Sequence, residues 1–506
     1  MILILLSTIL IPLIATFFIA LNPSIKGDTA SKISFASLLY SLVVYIILAI
    51  LMKMPYYEKL YTIPMVGSIA FILDGYNLPF LVGISLVTSL VSLYSYPYMS
   101  HRFHELERGS WRTYFVNYNL FSVSMLGVAL STNLIEFYIF LEISLITSFF
   151  LIALYGYGER IRIGIMYFIW THAGALLFLI ASFIYGLNAN TFDFISPNPP
   201  YYMPGFGERI LGGLAFYVFL FFLVGLLIKL PAFGFHIWLP YAHAEAPTPV
   251  SALLSPNLIG LAALGILRIL IVLFPSTYHV YQLLIIFWAF ISIIYGGLMA
   301  LFQRDYKRLL AYSSISQMGY ILLGLSTLNP AGLIGAVLHY LTHAVGKASL
   351  FMTAGNIIVQ GKGLRDIERM GGLASSMNFT AGSALLGFLS ISGLPPTIGV
   401  ISKFFIIAGL VEYMISISSY APLLVALILM SLIGFGLTLV YSFHTMRRIF
   451  YGTSKGGIEI SEASPSASYT TFSIALSSIV LMIMIFIFTN PLYSAYHTIS
   501  FLTSLR

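Results

Sequence analysis

Three lysine side chains lie inside long apolar stretches of the sequence, where a charged group is costly. They are Lys229, Lys347 and Lys403, and every other lysine or arginine can be assigned to a loop or a helix end. A lysine at the middle of a bilayer costs on the order of 2.5–3.5 kcal/mol, so such residues usually mark a transport path. The chemistry that they could perform is proton transfer, because an ammonium group held away from water releases its proton more readily.

One acid and two histidines in apolar stretches could complete a proton path. Glu142 lies near the middle of such a stretch, and His339, His343 and Lys347 follow one another at intervals of four residues. That spacing puts the last three on one face of a helix. Histidine exchanges protons near neutral pH, so this face could relay protons along a hydrated seam. The predicted proton-carrying residues are therefore Glu142, Lys229, His339, His343, Lys347 and Lys403.

Each of these residues also has a structural interpretation. Glu142 could stay protonated in a dry site, and Lys229 and Lys403 could extend to the lipid headgroups. The pair His339 and His343 could be half of a zinc site, but no cysteine and no third-ligand motif accompanies it, so no metal site is predicted.

Other histidines favour a structural role or leave the choice open. His172 is predicted to pack in the core. A proline-rich segment carries His236, Trp238, His243 and Glu245, which could line an access route for protons or simply cap a helix end.

Composition places the whole chain in a membrane. Of its 506 residues, 59% are hydrophobic and 8% are charged, against about 25% charged in soluble proteins. The absence of cysteine excludes disulfides, thiolate metal sites and iron–sulfur clusters carried by this chain, and no cofactor is predicted on it. The net charge of +7 is spread over loops without interleaved aromatics, which argues against nucleic acid as a partner.

Apolar windows long enough to cross the hydrocarbon core predict an all-α polytopic protein with about fourteen transmembrane helices. Two of the spans, the seventh and the twelfth, carry proline or glycine breaks after Lys229 and near Gly393–Pro396, and such breaks often line a transport site. The windows are 2–22, 33–53, 76–97, 113–131, 133–156, 163–187, 211–231, 250–274, 281–302, 308–328, 332–360, 378–418, 421–449 and 471–493.

The loops between these windows differ in charge. Alternate loops collect sixteen Lys and Arg residues on one face of the membrane and five on the other. The positive-inside rule makes the basic face cytoplasmic and puts both termini outside, in a multi-pass protein of the cell membrane.

Three motifs resemble one family. The runs Lys229–Ser251, Lys307–Tyr320 and His339–Ala348 are similar to the signatures of the antiporter-like subunits found in the membrane arm of respiratory complex I and in Mrp-type sodium/proton antiporters. The resemblance covers nearly the whole chain and is weaker before residue 70 and after residue 450.

The resemblance implies two inverted five-helix repeats and a polar Glu/Lys/His axis at mid-membrane. Residues 1–112 would form an N-terminal three-helix segment, 113–274 and 281–449 the two repeats, and 450–506 the fourteenth helix and tail. The implied function is proton translocation driven by redox subunits of a complex-I-like quinone oxidoreductase, with no redox site on this chain. The implied partners are other membrane-arm subunits.

Two departures from the family pattern keep alternatives open. Most relatives carry lysine or histidine in the eighth span, where this chain has Gly260 and Ser255. Lys403 stands where the chain-M type usually has glutamate, so it is more like the N, L or Mrp type. The alternatives are a subunit of a gradient-driven sodium/proton antiporter and a structural subunit that no longer pumps.

Overall fold

The chain folds into a bundle of helices with one short β-hairpin, as described by a computed structural model over residues 3–52, 54–418, 420–453, 460–485 and 488. Residue 2 of the first predicted span and residues 486, 487 and 489–493 of the last, together with Lys53 and Arg506, lie outside these described residues. The prediction of an all-α membrane fold is confirmed, because twelve helical segments are long and apolar enough to cross a bilayer.

The helices of the first half lead up to the first break. They are α1 (Ile4–Leu21), α2 (Gly27–Leu51), α3 (Leu78–Glu105), α4 (Trp111–Leu130), α5 (Leu134–Tyr155), α6 (Arg160–Ala189), α7 (Phe206–Leu211), α8 (Ala215–Lys229), α9 (Trp238–Glu245), α10 (Thr248–Leu253) and α11 (Leu261–Gly265). Two π-helical turns, Leu254–Leu258 and Ile266–Ile271, interrupt the eighth span, which was predicted to be one continuous helix.

The helices of the second half contain the other break. They are α12 (Pro275–Leu301), α13 (Tyr306–Ser326), α14 (Pro330–Gln360), α15 (Asn378–Ser392), α16 (Gly399–Ser416), α17 (Ala421–Met446) and α18 (Pro465–Ile483). Both predicted breaks are present, after Lys229 and between Ser392 and Gly399. Each of the fourteen predicted windows overlaps helical segments of the described chain, the last one only over 471–483, while the number of crossings and the two repeats stay predictions.

The hairpin was not predicted. Strand β1 (Tyr56–Ile63) pairs antiparallel with β2 (Gly67–Leu73), and alternating aromatic and β-branched residues make both segments suitable for a sheet. Gly67 closes the turn at a φ of +110°, which other residues rarely adopt. Asp193, from the long loop before α7, accepts the Ser68 N–H (2.9 Å), so the loop and the hairpin cover the same end of the bundle.

The centre of the bundle is formed by the helices that carry the polar motifs. Helices α13 and α14 and the segment Thr248–Ile271 are buried almost along their whole length, whereas α17 exposes most of its apolar side chains. Asp305 and Asn329 cap the N-termini of α13 and α14 by accepting backbone N–H groups at 2.9 Å. Rigid central helices therefore position the candidate site, and apolar outer helices surround it.

Candidate functional site

All three predicted lysines are buried inside the bundle. The exposed fractions of Lys229, Lys347 and Lys403 are 3%, 0% and 4%. A lysine that reached the headgroups would expose its ammonium group, so these values exclude that alternative for all three.

Lys229 lies where helix α8 ends, and its ammonium group has no hydrogen-bond partner among the described residues. The backbone carbonyls freed by the break are satisfied by three of the four tryptophans of the chain, which donate their indole N–H groups. These bonds are Trp238 to Ile228 (3.0 Å), Trp170 to Phe235 (3.1 Å) and Trp288 to Phe233 (2.8 Å). These three carbonyls at the break are thus hydrogen-bonded within the protein, as irregular backbone at membrane depth requires.

Glu142 pairs with a histidine that the sequence analysis assigned to core packing. Its Oε2 lies 3.0 Å from His172 Nδ1, and its Oε1 is buried without a hydrogen-bond partner in the described part of the chain. Lys229 is close enough to Glu142 for Coulombic attraction, but no ion pair within 4.0 Å joins them in the described structure. The prediction that His172 packs in the core was wrong, because its side chain is 33% exposed and contacts Glu142 on α5, which spacing along α6 cannot show.

The three residues predicted to share a face of α14 are all fully buried. Lys347 is held by α13, since its ammonium group donates to the Leu310 carbonyl (3.0 Å) and to the Ser313 hydroxyl. His343 lies between Lys347 and His339 along the helix, and neither of its ring nitrogens makes a well-aligned hydrogen bond among the described residues, although the Pro256 backbone carbonyl is near.

His339 belongs to a chain of hydrogen bonds. Gln317 donates its amide N–H to Tyr441 (2.9 Å), so its carbonyl oxygen faces His339 Nε2 (3.0 Å). Neutral His339 therefore carries its proton on Nε2. The Ser402 hydroxyl lies 3.0 Å from His339 Nδ1 and 3.0 Å from the Gly399 carbonyl, so it can donate to Nδ1 when Nδ1 is unprotonated and to the carbonyl when Nδ1 carries a second proton. His339 can thus take up and release a proton with one hydroxyl rotation.

Lys403 lies next to Ser402 and is enclosed by aromatic rings. Its ammonium nitrogen is 4.2 Å from the centroid of Tyr320 and 5.4 Å from that of Phe435, and it has no hydrogen-bond partner in the described chain. Gly393 makes room for this side chain, because a Cβ at that position would lie 2.6 Å from Lys403 Cδ. The break between α15 and α16 therefore accommodates the lysine.

A fourth buried lysine was missed because it stands near a helix end. Lys307, in the first turn of α13, is fully buried and donates to the carbonyl of Ala246. Glu245, beside it, keeps a buried Oε2 without a hydrogen-bond partner among the described residues. Burial raises the pKa of Glu245, and the charges of Arg365 and Lys307 oppose that increase. The motif Lys307–Tyr320 contained a signal for this burial, since Lys307 follows Asp305, which caps the helix. The position of Lys307 in the first helical turn nevertheless suggested a surface residue.

His243 connects this end of the bundle to the centre. Its ring is fully buried, stacks on Phe351 at 4.9 Å and has no hydrogen-bond partner on either nitrogen among the described residues. Its electrostatic neighbours are Lys307 on one side and Lys347 on the other. The ring therefore lies between the loop end and the α14 group.

A tyrosine occupies the space of the missing eighth-span lysine. A Cβ on Gly260 would lie 2.3 Å from the ring of Tyr340, which also stacks on Phe80 at 4.0 Å. The Tyr340 hydroxyl donates to Asn257 Oδ1 at 3.4 Å. Ser255, the other departure, lies 2.7 Å from the hydroxyl of Ser314. Tyr340 and Gly260 thus fit each other, and the polar groups at this level are hydroxyls and an amide.

The opposite end of the bundle contains a buried ion pair that was also missed. Arg268, in the second π-helical turn, donates to the carboxylate of Asp74, and the Tyr202 hydroxyl donates to the same carboxylate oxygen. Arg268 and Asp74 are 2% and 3% exposed. The pair links the start of α3, the eighth span and the loop before α7.

Comparison with known proteins gives consistent results. Residues 131–431 match the family described as NADH:quinone oxidoreductase/Mrp antiporter, transmembrane. The chain is 30% identical over 392 residues to NADH-quinone oxidoreductase subunit M of Rickettsia typhi, covering 76% of this chain and 74% of the relative. It is 29% identical over 451 residues to F(420)H(2) dehydrogenase subunit M of Methanosarcina mazei, covering 87% and 84%.

Two solved structures have the same fold. A chain of respiratory complex I from Thermus thermophilus superposes with a TM-score of 0.81 at 24% identity, covering 98% of this chain and 99% of that one. A chain of the Mrp complex from Dietzia sp. superposes with a TM-score of 0.78 at 24% identity, covering 97% of this chain and 51% of that one.

Proposed function

The chain belongs to the NADH:quinone oxidoreductase/Mrp antiporter transmembrane family, and we propose that it translocates protons as an antiporter-like subunit of a complex-I-like respiratory oxidoreductase. In this proposal the redox reaction takes place on other subunits, which supply the energy. The basic end of the bundle faces the cytoplasm, as the positive-inside rule indicates.

The observation that carries the proposal is the burial of Lys229, Lys347 and Lys403 at the breaks and along the central helix. Burying an ion costs several kcal/mol unless other interactions offset it. Lys229 and Lys403 have no hydrogen-bond partner among the described residues, so their burial is difficult to explain by stability alone.

Glu142 has two basic side chains within its reach, Lys229 and His172, and a change of partner would start the transfer. With Glu142 near Lys229, the carboxylate stabilises the charged lysine; with Glu142 on His172, as in this structure, it does so less. A charge in the neighbouring subunit that attracts or repels Glu142 would thus set whether Lys229 keeps its proton.

In the second half, titratable side chains follow one another along the route that we propose for the proton. From the basic end, Glu245, Lys307 and His243 lead to Lys347 and His343. His339 then passes the proton through Ser402 towards Lys403. Water would have to bridge His343, whose two nitrogens make no well-aligned hydrogen bond in the described residues.

The test is Lys229→Ala in the assembled complex, reconstituted in vesicles, with protons counted per electron transferred. We expect fewer protons per electron at normal electron transfer. Lys32→Ala is the matched control. The Lys32 side chain is 67% exposed, so this substitution removes the same charge from the surface of the protein. If Lys229→Ala pumped as many protons per electron as the Lys32→Ala control, the role given to Lys229 would be refuted.

The names of the curated relatives support the redox-driven assignment over gradient-driven sodium/proton exchange. The likeness to the Mrp complex concerns the fold, and a sodium dependence of transport in the same vesicles would favour that second function. The third possibility, a subunit that does not pump, rests on Gly260. Restoring a lysine there requires Gly260→Lys together with Tyr340→Ala, since the ring of Tyr340 fills the space.

A further inference from the structure

A cavity of about 720 Å³ opens at the basic end of helix α17, away from the proton path. Three basic side chains line it, His444, Arg447 and Arg448, together with the acid Glu368 and the ring of Tyr451. The π-helical turn Arg447–Tyr451 that continues α17 brings the two arginines to this cavity.

Among the described residues that line the cavity, basic side chains outnumber acidic ones. Arg448 donates to the carboxylate of Glu368, which is the acid in the lining. Arg447 is exposed, and its guanidinium group has no hydrogen-bond or ion-pair partner in the part of the chain that the structure describes. His444 lies within electrostatic reach of both arginines and Glu368. An unpaired guanidinium therefore faces an open cavity and can bind an anion.

The helix below the cavity suggests which kind of anion it is. Just before His444, α17 exposes Phe443 (47%) and Val440 (51%), and most of the helix beyond them is exposed and apolar. A hydrocarbon chain could lie on this stripe while a polar group sits in the cavity. Tyr451, which is 61% exposed, stands at the same level as the arginines, where tyrosine prefers the membrane–water interface.

We propose that this cavity binds the phosphate of an anionic phospholipid, with an acyl chain along Val440 and Phe443. Arg447 binds the phosphate oxygens through its planar guanidinium group, which suits the tetrahedral oxyanion. Arg448 stays with Glu368 and adds positive potential. The proposal is independent of the proton path and would hold equally if the chain did not pump.

The experiment measures lipid binding to the purified full chain in detergent by native mass spectrometry. The probes are a short-chain phosphatidylglycerol and a phosphatidylcholine with the same acyl chains. We expect tighter binding of phosphatidylglycerol, and an affinity about five-fold lower in Arg447→Gln, since one arginine near an anionic lipid contributes about that factor. Arg112→Gln, another exposed arginine at the basic end of the bundle, is the matched control and should bind as the unaltered chain does.

Several results would overturn the proposal. The first is an equal affinity for the two lipids, and the second is an equal loss of phosphatidylglycerol affinity in Arg447→Gln and Arg112→Gln. The third is displacement of the lipid by inorganic phosphate at similar concentration, which would indicate a site for free phosphate. Absence of binding in the assembled complex would show that an acid of a neighbouring subunit fills the cavity. If Arg447→Gln did not fold, His444→Gln and the preference of the unaltered chain between the two lipids would decide.

Discussion

Lys403 shows how the protein holds a charge that its position disfavours. Two aromatic rings lie within 4.2 and 5.4 Å of its ammonium nitrogen, and such contacts contribute about 0.5–2 kcal/mol. Placing a lysine at mid-membrane costs on the order of 2.5–3.5 kcal/mol. The rings therefore offset part of the cost and leave the ammonium group without a hydrogen-bond partner among the described residues, as the proton exchange that we propose would require.

The pairing of Glu142 with His172 leads to a prediction about the switch. In His172→Leu the Glu142 carboxylate loses its hydrogen-bond partner and keeps Lys229 as the basic group near it, so we expect proton translocation in vesicles to slow severalfold while electron transfer continues. His172→Gln, which can still donate a hydrogen bond, should restore part of the rate. His104→Leu, at an exposed position, serves as the control. Unchanged translocation in His172→Leu would remove His172 from the mechanism.

The residues of the site were predictable to different degrees. The charges inside apolar stretches were visible in the sequence, because hydrophobic flanks on both sides of Lys347 and Lys403 leave no nearby surface. The partners were not visible, because His172, Gln317 and Ser402 come from other helices, and their contacts depend on how the helices pack. Lys307 was hidden by its place in a first turn, which is normally exposed.

The two broken helices are the elements on which the site depends. Prolines and glycines after Lys229 and around Gly393–Pro396 made both breaks predictable, since these residues interrupt helical hydrogen bonding. The π-helical turns of the eighth span have no such marker, and the hairpin Tyr56–Leu73 was overlooked in a chain dominated by helical periodicity. What stabilises the first break is the set of indole donors, which come from three different helices.

The indole bonds can be tested one at a time. Trp288→Phe removes the donor to the Phe233 carbonyl (2.8 Å) and keeps most of the aromatic packing. We expect a loss of about 1–3 kcal/mol in the free energy of unfolding, the cost of an unsatisfied carbonyl, seen as a lower midpoint of thermal unfolding. Trp111→Phe, a similar change in a half-buried tryptophan outside the break, should cost less. Equal losses would mean that packing, and not the hydrogen bond, matters at Trp288.

At the scale of the whole molecule, the two ends of the bundle are closed by different charges. The basic end has the Glu245–Lys307 group, with an unsatisfied carboxyl oxygen and a link to the centre through His243. At the other end Arg268 and Tyr202 both donate to the Asp74 carboxylate, while Arg268 Nε has no hydrogen-bond partner among the described residues. The acid at the end where we propose that protons enter thus keeps a free oxygen among the described residues, whereas the acid under the hairpin and the loop before α7 accepts from two side chains.

The Asp74–Arg268 ion pair leads to a prediction about the stability of the protein that does not involve proton transfer. Arg268→Met leaves the Asp74 carboxylate buried without its counter-ion, and breaking such a pair costs about 3–5 kcal/mol. Thermal unfolding in detergent should show this loss. The double variant Arg268→Met with Asp74→Asn should recover part of it, because no charge is left uncompensated. If the double variant were no more stable than the single one, the ion pair would not be the cause.

The most direct test of the central claim is the number of protons translocated per electron by the assembled complex carrying Lys403→Met. Methionine matches the lysine side chain as far as Cε and removes the ammonium group, with its exchangeable proton, from between Tyr320 and Phe435. The account predicts a lower proton count per electron with electron transfer still running. An unchanged count would contradict it, because protons would then cross without the buried lysine at the end of the path.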